Sequence, residues 1–236
     1  PAEVTNADVV IGTHDHADHI DRKSWPGIAA ASPKATFVVP AAHLPKLAAD
    51  LGIDASCFVA LDDLKTVEVA GIRLTGIAAA HELLSPDAAG RHPFLGVVIE
   101  AGGVTLYHAG DTCVYEGLVT KLKRWDFDAV FLPINGRDAA RLRANIIGNM
   151  TWQEAADLAG ALRPRLTVPA HFEMFAANSC VVNCSGSYTF GFIRICTGWS
   201  FRRGWPSQSS GIMRRRKAPC PSKTMPKKSY VSRSCQ

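Results

Sequence analysis

The sequence predicts an α/β fold in which short strands alternate with helices around more than one sheet. Two pairs of strand-like segments are joined by tight turns at Ala70-Gly71 and Gly102-Gly103, and each pair predicts a β-hairpin. Other apolar runs of strand length are separated by helix signals, such as the capping box that begins at Thr151. A third observation is that several strands deliver a His or an Asp at their carboxyl ends. These polar residues are therefore expected to converge at one edge of the sheets.

The first part of the chain predicts two strands and a helix. Residues 7–12 and 35–40 are short apolar runs, and Pro40 ends the second of them. A helix is expected over about 41–51, because Gly52 follows the apolar pattern as a stop signal. Residues 21–31 fit a loop or a short helix.

The remaining elements follow in the same way. Predicted strands cover 66–69, 72–77, 94–101, 104–108, 127–134 and 166–170, and the strand at 72–77 runs on through three alanines to His81. The capping box at Thr151 opens a helix that extends to about Leu162. Residues 85–92 and the segment after Ile134 are expected to be polar loops.

Charge divides the chain into two parts. Residues 180–236 contain 11 Lys and Arg and no Asp or Glu, which leaves 15 basic against 21 acidic residues in 1–179. The sequence therefore predicts a folded domain over 1–179 and a basic tail of low order over 180–236. So abrupt a change is typical of a chain read in a different frame or of an unrelated fusion.

The acidic balance of 1–179 argues against a nucleic-acid groove, since nucleic-acid binding depends on basic surfaces. No apolar run approaches the roughly 20 residues that span a bilayer. Only Cys57 and Cys113 fall in the predicted domain, which fits a reducing compartment, so a cytoplasmic location is expected. The sequence is compatible with an oligomer but does not specify one.

The densest chemical signal is the heptad 13–19, which follows the first predicted strand. It contains His14, His16, Asp18 and His19. Two histidines separated by one residue in an extended segment point to the same side, so both imidazoles can reach one cation. Asp18 and His19 add a carboxylate and a third imidazole, which begins a second metal site beside the first.

Together with His81, Gly110-Asp111-Thr112 and His171, in that order, this motif resembles the metal motifs of the metallo-β-lactamase superfamily. Segments 106–111, 133–137, 148–151 and 168–171 are similar to its L-ascorbate-6-phosphate lactonase-like branch. The resemblance covers about 7–179. It implies an αββα sandwich, which we expect to be incomplete on its N-terminal side, because members normally place several strands before the histidine motif.

The resemblance also implies a dinuclear centre. His14, His16 and His81 would hold one metal ion, Asp18, His19 and His171 would hold the other, and Asp111 would bridge them. Two divalent ions, zinc or manganese, would share a hydroxide that attacks an electrophile. Asp18 would also orient the hydroxide, so that Asp18 and Asp111 are the expected catalytic carboxylates.

Weaker expectations concern residues around this set. His108 precedes Gly110 by two positions and is a candidate hydrogen-bond donor behind the metal ligands, or a satisfied core histidine. Arg137, Arg141 and Asn149 lie in a loop that could cover the site, where arginines can bind a phosphate or carboxylate of the substrate. The competing interpretation is that these loop arginines are solvated.

The preferred function is a metal-dependent hydrolase that opens a lactone or cleaves a phosphoester of a small anionic metabolite. Within the superfamily, a nuclease and a glutathione thioesterase are the alternatives. Outside the enzymes, the alternative is a non-catalytic truncated fragment that binds metal weakly. Diiron oxygen reduction is disfavoured, because such proteins usually carry Glu at the position of His16.

Overall fold

The computed structural model describes residues 1–172 and 175–179, so the predicted tail over 180–236 lies outside the described residues. The strands are β1 (Val9–Ile11), β2 (Thr36–Pro40), β3 (Phe58–Leu61), β4 (Thr66–Val69), β5 (Ile72–Ala78), β6 (Leu95–Ala101), β7 (Val104–His108), β8 (Ala129–Pro133) and β9 (Leu166–Ala170). The α-helices are α1 (Trp25–Ala31), α2 (Leu44–Leu51), α3 (Leu118–Leu122), α4 (Ala139–Arg143) and α5 (Trp152–Leu162).

The first sheet consists of three parallel strands in the order β1-β2-β3. Val10 pairs with Phe37, and Phe37 pairs with Phe58. Helices α1 and α2 cover the outer face of this sheet, because their apolar residues pack with those of β2 in one buried cluster. That cluster contains Ile20, Trp25, Phe37, Val39, Leu47, Leu51 and Phe58.

The second sheet has six strands in the order β4-β5-β6-β7-β8-β9. The pairs from β4 to β7 are antiparallel and form the two predicted hairpins, whereas β7-β8 and β8-β9 are parallel. Helices α3 and α5 cover its outer face. The residues that join them to the sheet include Tyr107, Leu118, Leu122, Leu132, Met150 and Leu158.

A third apolar cluster lies between the two sheets. It contains Val38 and Leu61 from the first sheet and Leu74, Leu95 and Val97 from the second, all almost fully buried. Two sheets packed face to face with helices outside each of them form four layers, α-β-β-α. The αββα prediction is therefore confirmed.

Three elements were missed by the pattern-based prediction. β3 is only four residues long, and a short apolar run cannot be separated from other buried segments by periodicity. α4 lies in a segment predicted as loop, although Asp138 carries a signal for it: the Asp138 carboxylate accepts hydrogen bonds from the amides of Ala140 and Arg141. α3 follows Gly117 and has no side-chain cap.

The predicted capping box at the start of α5 is present. Thr151 Oγ1 accepts a hydrogen bond from the Glu154 amide at 3.3 Å, and Glu154 Oε2 accepts one from the Thr151 amide at 2.8 Å. These bonds satisfy two backbone donors at the helix end that otherwise lack a partner. They also fix where the chain leaves the loop 134–150 and enters the helix.

We expect Thr151→Ala to lower the free energy of unfolding by about 1 kcal/mol, because the helix loses its N-cap acceptor. Thr151→Ser retains the hydroxyl and should stay close to the wild-type value. Urea denaturation followed by circular dichroism measures both variants. Equal losses in the two variants would show that the methyl group of Thr151, and not its hydroxyl, stabilises this helix end.

Candidate metal centre

The loop after β1 delivers three imidazoles to one point. Thr13 lies behind them, with its Oγ1 3.1 Å from Nδ1 of His14 and 2.9 Å from Nδ1 of His19. The hydroxyl thus engages the inner nitrogen of both rings and leaves both Nε2 atoms facing away from it. His16 completes the group, with its Nδ1 3.0 Å from His14 Nε2.

Three further predicted ligands reach this loop from the second sheet. His81 follows the extension of β5, Asp111 follows β7, and His171 follows β9. All of them leave their strands at the same edge of the sheet. The structure therefore brings together all seven residues that the sequence proposed as ligands: His14, His16, Asp18, His19, His81, Asp111 and His171.

Asp111 lies at the centre of this group. One of its carboxylate oxygens is 3.3 Å from His19 Nε2, and the other is 3.2 Å from His171 Nε2 and 4.0 Å from His14 Nε2. The residue is only 4% exposed. A buried carboxylate in contact with three imidazoles is positioned to be shared between two cations, as the resemblance implied for Asp111.

Asp18 occupies the more exposed side of the same group. Its Oδ2 is 3.5 Å from His19 Nε2 and 3.3 Å from His171 Nε2. Three residues, Asp18, His19 and His171, each offer one ligand atom, and these atoms lie within 4.8 Å of one another. This group is the set expected for the second ion. A second such group contains His14, His19 and Asp111.

His16 and His81 lie on the other side of His14. Their ring centroids are 5.1 Å apart, and the centroid of His81 is 5.7 Å from that of His14. Phe94 lies against all three rings, with centroids 5.1 to 5.7 Å away. This aromatic residue forms an apolar wall behind the histidines and was not identified from the sequence.

Burial and charge set the protonation states of the deep residues. Burial lowers the pKa of the His14 imidazole to about 2, so its ring is neutral and keeps a free lone pair. Burial acts to raise the pKa of the Asp111 carboxyl, but the imidazoles of His171 and His19 lower it by more, to well below its usual range. The contact with Asp111 raises the pKa of His171.

The donor set fits divalent metal ions. Buried ligand-type atoms of His81 (Nδ1), Asp111 (Oδ1) and His171 (Nδ1 and Nε2) have no hydrogen-bond partner, which is costly unless something else satisfies them. Two ligand atoms on one tetrahedral zinc ion are about 3.3 Å apart, since each bond is about 2.0–2.1 Å long. The contacts between His14 and His16 and around Asp111, at 3.0 to 4.0 Å, are close to this separation.

Two backbone conformations support this arrangement. His171 has φ of 53°, which is left-handed and unusual for a residue with a side chain, and such positions often occur at functional sites. Gly110 also has positive φ, and a Cβ at that position would lie 2.5 Å from the carbonyl oxygen of Leu95. Glycine is therefore required directly before Asp111, because the loop passes against β6.

His108 lies beside the site. Its Nδ1 accepts a hydrogen bond from the Gly110 amide at 3.1 Å, and its ring stacks on Phe131. Burial lowers its pKa. The ring borders a cavity of about 240 Å³ that Asp18 and His19 also line. His108 thus orients the glycine that carries Asp111, whereas direct donation to a metal ligand stays a prediction.

The predicted substrate-binding arginines are paired with acidic groups of the chain. Both terminal nitrogens of Arg137 donate to the Glu154 carboxylate, at 2.6 and 2.7 Å. Arg141 donates to Asp138 at 2.6 Å. The Arg137 side chain is nevertheless 41% exposed, so its pairing with Glu154 is compatible with the competing interpretation of solvated loop arginines. Binding of substrate by these residues stays a prediction.

Asn149, the third predicted substrate residue, has no exposed surface. Its backbone carbonyl accepts a hydrogen bond from Arg137 at 3.0 Å, and its side chain lies beside His81. Three residues were not identified from the sequence as part of the site, namely Thr13, Phe94 and Glu154. Each of them contacts a predicted site residue and supports its position. Thr13 belongs to the heptad 13–19, so its position next to His14 is the signal that could have identified it.

Comparison with known proteins decides the family. The profile of the beta-lactamase superfamily domain matches residues 1–172. The chain belongs to this superfamily. It also belongs to the UPF0173 metal-dependent hydrolase family, because a member from Methanoculleus marisnigri is 30% identical over 180 residues, which cover 75% of this chain and 70% of the relative.

Another relative, a UPF0173 metal-dependent hydrolase of Saccharolobus solfataricus, is 31% identical over 132 residues. The match covers 56% of this chain and 55% of that relative, so the chain spans about half the length of the protein. The fold is shared with Igni18, a metallo hydrolase from Ignicoccus hospitalis, at a TM-score of 0.56, 21% identity and coverage of 73% and 67%. It is shared as well with YhfI from Bacillus subtilis, a metallo-beta-lactamase fold protein, at a TM-score of 0.54, 17% identity and coverage of 72% and 66%.

The Arg137–Glu154 pair predicts a pH dependence of stability. The hydrogen bonds from Arg137 lower the pKa of Glu154 to about 2, below its usual 4.5. A lowered folded-state pKa stabilises the fold above pH 4.5, and this stabilisation is lost as the pH falls toward 2. Glu154→Gln should therefore be less stable than wild type at pH 7, and the difference should shrink over that range.

Chemical denaturation at a series of pH values measures this difference. Glu116→Gln removes an exposed carboxylate of the same type and serves as the control, with an expected difference near zero at pH 7. A stability difference for Glu154→Gln that does not change between pH 7 and pH 2 would contradict the electrostatic origin of the pair's effect.

Proposed function

We propose that this protein is a dinuclear metal-dependent hydrolase that acts on a lactone or phosphoester of a small anionic metabolite. The observation that carries the proposal is the convergence of five imidazoles and two carboxylates at one edge of the second sheet, with several buried lone pairs left unpaired. The names of the UPF0173 relatives, which are called metal-dependent hydrolases, support it.

These contacts support the proposed ligand assignment. His14, His16 and His81 would hold one ion, because their rings adjoin one another on one side of the cluster. Asp18, His19 and His171 would hold the other ion. Asp111 would be shared, since its two carboxylate oxygens face imidazoles of both groups.

Bound divalent ions would supply an activated water, whose pKa falls to about 7, and would polarise the electrophile. The chain's own residues prepare for this in different ways. His14 is neutral, so its lone pair is available without loss of a proton. Asp111 is ionised and buried, and its negative charge would offset the repulsion between two bound cations.

Asp18 has the position of a proton acceptor. Its side chain is 21% exposed, whereas that of Asp111 is 5% exposed, so Asp18 faces the side that water and substrate can reach. A carboxylate at this point can accept a hydrogen bond from the attacking water and hold it toward the electrophile. We therefore assign orientation of the nucleophile to Asp18 and the structural charge balance to Asp111.

The substrate class rests on three considerations. A dinuclear centre attracts anions by its own charge. The loop 134–150 beside the site carries Arg137 and Arg141, and an anionic substrate could compete with Glu154 and Asp138 for them. The similarity to the lactonase-like branch, carried by segments such as 106–111, supports a lactone or phosphoester substrate.

The metal and the location complete the proposal. Histidine with carboxylate suits zinc, and manganese accepts the same donors, so we propose one of these two. None of the helices in the part of the chain that the structure describes is long and apolar enough to cross a membrane. A cytoplasmic enzyme with a small-molecule substrate and without a nucleic-acid partner fits the acidic balance of residues 1–179.

In the full chain, Asp111→Asn should slow the hydrolysis of a generic phosphodiester and of a generic lactone by at least about 100-fold. This loss exceeds the usual effect of substituting a residue that only supports a metal ligand. After reconstitution with zinc or manganese, elemental analysis should find two ions per chain in wild type and fewer than two in Asp111→Asn. The physical reason is that the amide lacks the negative charge that two adjacent cations require.

Asp54→Asn is the matched control, because Asp54 is an exposed carboxylate that caps a short turn ahead of β3. It should retain activity and metal content. If wild type binds less than one ion per chain and hydrolyses neither substrate, the hydrolase proposal fails and the non-catalytic alternative is supported.

A further inference from the structure

Asn149 is buried without a conventional role. It has no exposed surface, and neither its side-chain oxygen nor its side-chain nitrogen makes a complete hydrogen bond within the described residues. A buried amide without hydrogen-bond partners lowers stability, so a native protein seldom retains one without a purpose. This amide is therefore expected to have a neighbouring group as its hydrogen-bond partner.

The backbone places Asn149 beside His81. The Cys113 amide donates to the Ala80 carbonyl at 2.7 Å, and the Met150 amide donates to the Thr112 carbonyl at 3.0 Å. These two bonds join the residues next to His81, Asp111 and Asn149 into one layer. The Thr112 hydroxyl strengthens this layer, because it accepts a hydrogen bond from the Ala80 amide at 2.9 Å.

The side chains complement each other. Nδ1 of His81 is buried and has no hydrogen-bond partner, and the Asn149 amide beside the His81 ring is likewise buried and unpaired within the described residues. An imidazole that binds a metal through one nitrogen carries a proton on the other and usually donates it to an oxygen acceptor.

We propose that Asn149 is a positioning residue whose Oδ1 accepts the Nδ1–H of His81, fixing the tautomer and orientation in which His81 presents Nε2 to a divalent ion. This role rests on the proposed metal centre and replaces substrate contact as the function of Asn149. It also explains why the loop 134–150 is fixed to the Thr112 segment, since displacement of that loop would remove the acceptor.

The test compares metal binding by full-length variants in competition with a chromophoric zinc chelator. Asn149→Leu retains the approximate size of the side chain and removes the acceptor. It should weaken one of the two zinc-binding steps by about 10–100-fold. Asn149→Asp supplies a stronger acceptor and should bind zinc at least as tightly as wild type.

The matched control is Asn135→Leu. Asn135 is also fully buried and lies at the other end of the same loop, but its Nδ2 donates to Asn178 at 3.0 Å and the described contacts do not connect it to His81. This substitution should lower stability and leave the zinc affinity unchanged. If Asn135→Leu weakens zinc binding as much as Asn149→Leu does, the loss reflects the general stability of the loop, and the proposal is overturned.

A second measurement does not depend on whether the leucine variant folds. In zinc-loaded wild type, the His81 Nδ1 proton should be visible by nitrogen–proton NMR and protected from exchange, and in Asn149→Asp it should persist. The proposal would be overturned if Nδ1 of His81 carries no proton in the zinc-loaded protein, or if that proton exchanges freely with solvent. An Asn149→Asp variant that binds zinc more weakly than wild type would also overturn it.

Failure of this proposal can be distinguished from failure of the proposed function. If wild type binds two ions and hydrolyses the test substrates, but Asn149→Leu binds zinc as wild type does, only the role of Asn149 is wrong. If wild type binds zinc, Asn149→Leu weakens that binding and neither turns over substrate, the positioning role stands and the hydrolase proposal fails. A full chain that binds no zinc would overturn both.

Discussion

The site depends on one buried carboxylate. Asp111 is 4% exposed and adjoins imidazoles that arrive from the loop after β1 and from the end of β9. A negative charge at this depth is tolerated only because His19 and His171 surround it. The same charge is what two cations would need between them. One residue thus links the electrostatics of the folded chain to the chemistry proposed for it.

The sandwich supplies the precision of that placement. The ligands come from both sheets, and the apolar cluster between the sheets, which includes Val38 and Leu74, holds them in register. Close packing leaves little freedom at the loop ends: Gly110 is required where the loop crosses β6. Thr13 then orients two imidazoles with one hydroxyl. The proposed metal ligands are therefore positioned by ordinary side chains and backbone contacts around them.

The loop 134–150 connects the site to the outer helix layer. Glu154 caps α5 through Thr151 and also binds both terminal nitrogens of Arg137, while Arg137 donates to the carbonyl of Asn149. A helix cap, an ion pair and a buried amide beside His81 are thus parts of one connected network. An anion that drew Arg137 away from Glu154 would also disturb its hydrogen bond to the Asn149 carbonyl, and thereby the surroundings of His81.

The sequence by itself determined the fold class, the two hairpins, the capped helix and all seven side chains that converge. The hairpins, the capped helix and four of the seven side chains succeed because hairpin turns, a capping box and a His-x-His-x-Asp-His loop are local patterns, each caused by residues close in the chain. His81, Asp111 and His171 were expected only because the order of motifs along the chain resembles that of the superfamily. β3 and α4 were missed, since a four-residue strand and a five-residue helix carry little periodicity. The tertiary structure alone decided which carboxylate is buried, that Arg137 and Arg141 already have acidic partners, and that Asn149 lies against His81. Arg137 with Glu154, and Asn149 with His81, are pairs of residues far apart in sequence that only packing brings together, whereas Asp138 and Arg141 are three residues apart and pair at the start of α4.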